Sequence, residues 1–304
     1  MTPRGRQGFA LIAVLWVLVL ASALAVELHG TVRADQRAVA NARAAARARW
    51  AARGGLAVLA ERLREQLAKP SAAGAFAATD PLLIPAVEYR LEGVAVRATA
   101  HDARARVQLN LAPEADLLTL FAAAGVEPGR AGALAAQVAR WRAAHAPPAL
   151  APDSSGRRLR PIPGAFATLA DLRRVPGITH AEYARVAPLL SVAGDGMINV
   201  NTAPAAVLRT LPGIDARAAL ALVARRKAGP MLSSFELLGA LPPASRFAAQ
   251  ERLTELRERA AFLPRAAEVE VIAAPDGSPL RARLRAVAVL AGRKRAAIVA
   301  VTER

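Results

Sequence analysis

Gly8-Phe9-Ala10-Leu11-Ile12-Ala13-Val14-Leu15-Trp16-Val17-Leu18-Val19-Leu20-Ala21-Ser22-Ala23-Leu24-Ala25-Val26 is an apolar run behind a single glycine, with Ser22 its one polar residue. Its length lies near the lower limit for a helix that crosses a bilayer, roughly 17–25 residues. Arg4 and Arg6 precede it and a long chain follows, an arrangement that predicts a cytoplasmic N-terminus. The helical pattern does not stop where the apolar run stops. From Glu27 to Lys69 there is no proline, and Arg33, Arg37, Arg43, Arg47 and Arg49 alternate with alanine, valine and tryptophan at helical spacing until Pro70. Phe9 to Lys69 predicts one helix of about 90 Å at about 1.5 Å per residue, with Gly54-Gly55 its candidate kink point.

Three readings of the N-terminus compete. Ala21-Ser22-Ala23 and Ala23-Leu24-Ala25 fit the small-x-small site of a cleaved secretory signal. A plain signal anchor is the second reading. The third is a leader cut ahead of the apolar run, between Gly8 and Phe9. The glycine between the basic leader and Phe9, and the continuation of the helix past the membrane, favour the third.

Bulk composition narrows the rest. A chain of 304 residues can bury one or two cores. Alanine and leucine dominate its apolar content and favour helices. The net charge of +17 is carried almost wholly by arginine, the lysines being Lys69, Lys227 and Lys294. An arginine and alanine bias of this kind accompanies a GC-rich coding background, so the total does not by itself name an anionic partner. The absence of cysteine excludes disulfides, thiolate metal sites and a cysteine nucleophile.

Past a loop from Pro70 to Pro85, Val87–Leu91, Val94–Thr99 and Arg106–Leu109 read as strands, with turn-prone breaks at Glu92-Gly93 and His101-Asp102. The chain then reads as helical from about Pro113 to Arg259. Strands return at Ala267–Ala274, Leu280–Leu290 and Ala296–Thr302. In the middle one, Arg281, Arg283 and Arg285 alternate with Leu280, Ala282, Leu284 and Ala286, which predicts a sheet with one wet and one buried face. The fold class is α+β: a long helix and a sheet interrupted by a helical insertion.

The insertion holds a repeat. Leu109-Asn110-Leu111-Ala112-Pro113 resembles Val200-Asn201-Thr202-Ala203-Pro204, and each is followed by leucines at helical spacing, a Gly-Val or Gly-Ile step and an alanine-rich helix. Asn201 or Thr202 is the expected helix cap, with Pro204 in the first turn. Hairpin turns are expected at Pro176-Gly177 and Pro212-Gly213. Helix–hairpin–helix units that bind DNA put hairpin N–H groups against a phosphate. Here Asp215 and Thr179 stand where such units generally have a second glycine, and Asp215 sets a carboxylate against a phosphate. A structural use of the hairpins is therefore the expected one. Signatures of hydrolases, zinc proteases and nucleotide-binding loops are absent. His29, His101, His145 and His180 lack metal-ligand spacing, and Asp153 and Asp195 are weak metal candidates only.

Taken together, these blocks resemble the K-type minor pseudopilins of bacterial type II secretion systems. The resemblance rests on Gly8-Phe9-Ala10-Leu11-Ile12, on Leu169-Ala170-Asp171-Leu172-Arg173-Arg174-Val175-Pro176-Gly177-Ile178-Thr179, on Tyr183 and Pro188-Leu189-Leu190, and on Ile198 to Pro204. It implies a pilin-like fold: a leader at 1–8, the membrane half of the helix at 9–28, the rest of the helix and first strands at 29–109, a helical insertion at 110–260 and C-terminal strands at 261–304. It also implies cutting between Gly8 and Phe9 by prepilin peptidase and N-methylation of Phe9. The protein would sit in the inner membrane with a periplasmic head, and its partners would be the I-type and J-type minor pseudopilins and the major pseudopilin. No enzymatic activity, cofactor or nucleic acid is implied. Most pilin-like subunits carry a glutamate at the fifth residue after the cut; Ala13 lacks it, as the K type does. An unpaired carboxylate is costly in hydrocarbon, so Ala13 fits a subunit at a filament end. Many family members bind calcium in an acidic loop after the tryptophan that matches Trp141. Trp141-Arg142-Ala143-Ala144-His145 and a stretch with only Asp153 depart from that pattern. Alternatives are a membrane-anchored DNA receptor of the competence type, which shares blocks like Ile198–Ala203 and Arg226-Lys227-Ala228-Gly229-Pro230, and a minor pilin of a type IV pilus.

Overall fold

The computed structural model describes residues 4–68, 83–145, 165–291 and 295–303, with side chains in the N-terminal helix described at 14–24, 27 and 35–66. The chain runs α1 (Arg4–Ala68), β1 (Val87–Leu91), β2 (Val94–Asp102), β3 (Val107–Gln108), α2 (Glu114–Ala123), α3 (Pro128–Ala144), α4 (His180–Val186), β4 (Leu190–Ser191), β5 (Ile198–Asn199), α5 (Ala205–Leu208), α6 (Ala216–Arg225), α7 (Ser234–Gly239), α8 (Pro243–Glu251), α9 (Leu253–Arg259), β6 (Ala260–Ala261), β7 (Ala266–Pro275), β8 (Ala282–Ala291) and β9 (Arg295–Glu303).

The main sheet is antiparallel in the order β1-β2-β7-β8-β9. β2 and β7 are hydrogen-bonded neighbours from Val94↔Pro275 to Asp102↔Ala267, so the helical insertion leaves one central strand and returns on the next. Along β8, Leu284, Ala286, Ala288 and Leu290 are buried while Arg283 and Arg285, and Arg281 just before the strand, face water, as the alternation predicts. Glu270 on β7 sits between two of these arginines, 3.5 Å from Arg283 and 3.0 Å from Arg285.

The buried face of the sheet carries α1. Ala48, Ala51, Ala52, Leu59 and Leu63 of the helix pack on Val96, Ala98, Val269, Val271 and Leu284. Small residues along this stripe let the helix lie close to the strands. Closest of all is Gly55, where an added Cβ would stand 2.8 Å from a methyl of Val96 and 2.8 Å from one of Val271. The helix is continuous through Gly54-Gly55. Gly55 serves the close helix–sheet approach, and the helix is not broken at this pair.

Beyond the sheet, α1 projects away. Val14, Leu15, Trp16, Val17, Leu18, Val19 and Leu20 are all exposed. Among the described residues no helix is long and apolar enough to cross a membrane. The expected span starts at Phe9, and the side chains of Gly8, Phe9 and Ala13 lie outside the described residues.

The insertion begins earlier and ends later than its pattern implies. Arg106–Leu109 is not a strand of the main sheet: β3 pairs in parallel with β4, inside the insertion. β6 pairs in parallel with β5, and the main sheet resumes only at Ala266. His101-Asp102 is not a break, since β2 runs through both. Two-residue strands are too short to show an alternation, which is why the region reads as wholly helical.

Candidate functional site

The helical head is built twice from one plan. Unit A spans β3 to β4 and unit B spans β5 to β6; in each, the opening strand is closed by a parallel partner at the far end. Each opening strand turns sharply into its first helix. The Ala112 N–H bonds the Gln108 carbonyl at 2.9 Å, and the Ala203 N–H bonds the Asn199 carbonyl at 2.9 Å. At the centre of each turn stands the repeated asparagine. Asn110 donates to the Phe166 carbonyl at 2.9 Å and accepts from the Phe166 N–H at 3.0 Å. Asn201 donates to the carbonyls of Met231 and Phe262 at 2.7 and 2.9 Å and accepts from the Met231 N–H at 2.8 Å. Neither Asn201 nor Thr202 is the expected helix cap: Pro204 holds that position, with no side-chain bond to α5. The amide of Asn201 satisfies two distant backbone segments instead.

An arginine at or just past the end of an alanine-rich helix completes each unit. Arg142 donates to the carbonyls of Leu109 and Ala112 at 3.2 and 2.6 Å. Arg226 donates to those of Val200 and Ala203 at 3.4 and 2.6 Å. These are equivalent carbonyls on either side of the two repeated turns. The repeat read from the sequence already runs into these alanine-rich helices, and in the second copy to Arg226, but nothing local marks either arginine as the one that closes on the turn.

The hairpins are packing junctions. Gly213 takes the left-handed conformation at φ +73°, and a Cβ there would stand 2.6 Å from Ala249 Cα on α8. Asp215 caps α6 by accepting the Ala218 N–H at 2.7 Å, which holds its carboxyl below the usual range, and it also accepts the Ser245 hydroxyl at 3.1 Å. α8 thus lies against the hairpin at Gly213. At Pro176-Gly177, Arg130 of α3 donates to the Gly177 carbonyl and to Glu182 at 2.7 Å. Glu182 also closes a capping box with Thr179, and with Arg130 beside it its carboxyl is lowered to about 2.

The head is tied to the sheet by buried polar groups at the end of β2. Asp102 is fully buried and accepts from the Asn199 amide at 2.7 Å, the Thr202 hydroxyl at 2.7 Å and the Arg104 N–H at 3.0 Å. Burial raises its carboxyl above the usual range against the pull of these donors. Arg104, itself buried, forms a two-pronged pair with Asp195 at 3.0 and 2.5 Å and donates to the Leu263 carbonyl at 2.9 Å. Glu268 on β7 joins Arg106 to Ser191 of unit A. Arg259 at the end of α9 pairs with Asp116 of α2 and so links the two units.

A cleft of about 220 Å³ between the units is lined in part by Asp116, Asp195, Glu258 and Arg259. Asp195 is no free metal ligand. Burial raises its carboxyl, and Arg104 together with backbone N–H donors, that of Met197 among them, leaves it below its usual range. Among the described residues no three His, Cys, Asp or Glu side chains form a metal-binding group. Asp153 lies outside the described residues. The Trp141 indole packs on the core of unit A and stacks on His145 at 3.9 Å, and its N–H has no partner among the described residues.

The chain matches the family described as type II secretion system protein K over residues 198–256, which is unit B almost from end to end. No curated protein matches it. Among solved structures it is similar to a chain in the crystal structure of the GspK-GspI-GspJ complex from the type 2 secretion system of enterotoxigenic Escherichia coli. The TM-score is 0.63 at 13% identity, covering 85% of this chain and 96% of that one. At that identity the likeness is one of fold, a mixed helix and antiparallel sheet carrying a helical head. With the family match, it bears out the resemblance to the K-type minor pseudopilins.

Proposed function

We propose that this chain, a K-type protein of type II secretion, is the minor pseudopilin at the tip of the pseudopilus and starts its assembly. The observation that carries the reading is the placement of the head. A two-unit insertion leaves and re-enters the sheet between β2 and β7, while the pairing of those strands and their packing on α1 stay intact. Such a subunit keeps the surface that pilin-like neighbours stack on below and adds bulk above. Bulk of that kind suits a subunit with nothing stacked over it. Ala13 supports the same position, because a first subunit has no neighbouring amino terminus for a buried carboxylate to meet.

In this reading prepilin peptidase cuts between Gly8 and Phe9, Phe9 is N-methylated, and Phe9 to Val26 holds the protein in the inner membrane with its N-terminus in the cytoplasm. The head stands in the periplasm and joins I-type and J-type minor pseudopilins and then the major pseudopilin. The protein is a structural subunit with no catalytic role, and neither a cofactor nor calcium enters the reading. The hairpin beneath α8 weighs against the DNA-receptor alternative, and the size of the insertion against a type IV minor pilin.

Two experiments test this. Gly8→Ala should abolish the mass loss caused by prepilin peptidase, and unchanged processing would sink the leader reading. The full chain in detergent should co-purify with I-type and J-type partners as one complex; failure to associate with both counts against the tip position.

A further inference from the structure

Along the face of β2 that meets α1, Val94, Val96, Ala98 and Ala100 are buried, and Asp102 is the next residue in that row. A carboxyl group thus stands where the pattern calls for one more apolar side chain. It is fully buried, and the groups that donate to it are neutral: the Asn199 amide, the Thr202 hydroxyl and the Arg104 backbone N–H. Nearby carboxylates are matched differently. Asp195 pairs with the Arg104 guanidinium, Glu268 with Arg106 and Asp116 with Arg259. The Arg104 guanidinium is turned to Asp195 and the Leu263 carbonyl, and it attracts Asp102 without a hydrogen bond to it. His101 and its cross-strand neighbour Glu268 lie on the opposite face of the sheet by strand alternation, with Arg106 on Glu268.

Asp102 is also where the chain leaves the sheet for the head, and Asn199 and Thr202 belong to the opening turn of unit B. These contacts survive a change of charge. A hydroxyl donates to a carboxylate or accepts from a carboxylic acid, so Thr202 suits either form, while the two N–H groups donate to both. What changes is whether the joint buries a charge that no cation touches, and such burial is costly. We infer that the joint between head and sheet is a proton-controlled latch at Asp102, closed over the neutral acid and loosened when the proton leaves and water reaches the carboxylate. Burial already holds this carboxyl above its ordinary range. A group raised in the closed state stabilises it fully below the ordinary pKa, and that contribution is lost as pH rises through the raised one. Residues 103–106 and 262–265 are the two covalent crossings between head and main sheet, so a loosened latch reseats the head without detaching it. The latch works whatever partners the chain meets.

Hydrogen exchange of the full chain in detergent micelles, read by mass spectrometry and corrected for the intrinsic rate at each pH, measures opening at residues 102–106 and 198–203. In the parent, protection there should fall about fivefold or more from about pH 4 to about pH 7. Asp102→Asn has no proton to lose, and its protection should stay constant within about twofold over the same range. His101→Gln removes the neighbouring group that titrates near neutrality and should keep the parent's fall. Protection that rises or stays level with pH in the parent, a fall that persists in Asp102→Asn, or one that disappears in His101→Gln would each overturn the latch. Should Asp102→Asn not fold, the profiles of the parent and of His101→Gln decide by themselves.

Discussion

Units A and B share a strand, a sharp turn around an asparagine, a helical hairpin, an arginine across the turn and a closing parallel strand. They differ in how the hairpin is finished. In unit B the glycine is covered by α8; in unit A, Gly125 at φ +84° has nothing within 4 Å of where a Cβ would stand. One plan thus yields a sealed unit and an open one. The same glycine chemistry should carry very different weight in the two. Gly213→Ala forces a Cβ into the α8 backbone as well as a strained φ, and should cost about 3–5 kcal/mol. Gly125→Ala meets only the φ penalty and should cost about 1–2 kcal/mol. Thermal unfolding followed by circular dichroism checks the pair; similar losses would mean that α8 does not seal unit B.

The asparagines sharpen the contrast. Asn201 is fully buried and serves three backbone groups, whereas Asn110 is half-buried and serves two. Removing a buried side chain leaves its partners unsatisfied at about 1–3 kcal/mol each before relaxation. Asn201→Ala should therefore lose about 2–4 kcal/mol and Asn110→Ala about 1–2 kcal/mol, measured by denaturant unfolding.

The two units also show what a sequence exposes. The Asn-x-Ala-Pro turns were legible because the repeat lies within a few adjacent residues. The arginine alternation of β8 was legible because its period is two. What escaped was pairing across distance. Phe166 and Met231 have no mark as partners of an asparagine far upstream. Asp102 stands in a turn-prone dipeptide, and nothing local says that Asn199 and Thr202 will close on it. β3 to β6 are two residues each, too short for any periodicity. Local chemistry thus identified the hairpin glycines, while the groups that fix the head on the sheet became visible only in three dimensions.

A smaller difference lies in charge. Unit A locks its second hairpin with Arg130 and Glu182, whose carboxyl is lowered from 4.5 to about 2. A carboxylate depressed in the folded state adds stability above its ordinary pKa and loses it as pH falls. The contribution should be complete above about 4.5 and vanish toward about 2. In Glu182→Gln the melting temperature should depend less on pH across that window than in the parent. An unchanged slope would show that the pair contributes nothing to folding.

The smallest expected effect concerns the link between the asparagine's partner and the arginine. In unit B residues 227–230 join Arg226 to Met231, while in unit A residues 143–165 join Arg142 to Phe166. Both ends of the longer link are held by one turn: Arg142 on the Leu109 and Ala112 carbonyls, and Phe166 on the Asn110 amide. Both ends are therefore anchored to the same turn by described residues. Replacing residues 146–164 with a flexible Gly/Ser linker about half as long, while keeping the Trp141–His145 stack, should leave the described fold intact. Because closure entropy grows only with the logarithm of the number of residues in a flexible link, the free energy of unfolding should change by about 1 kcal/mol or less. A large loss in the shortened chain would mean that the long link carries part of unit A's core and that the two units are less alike than their turns imply.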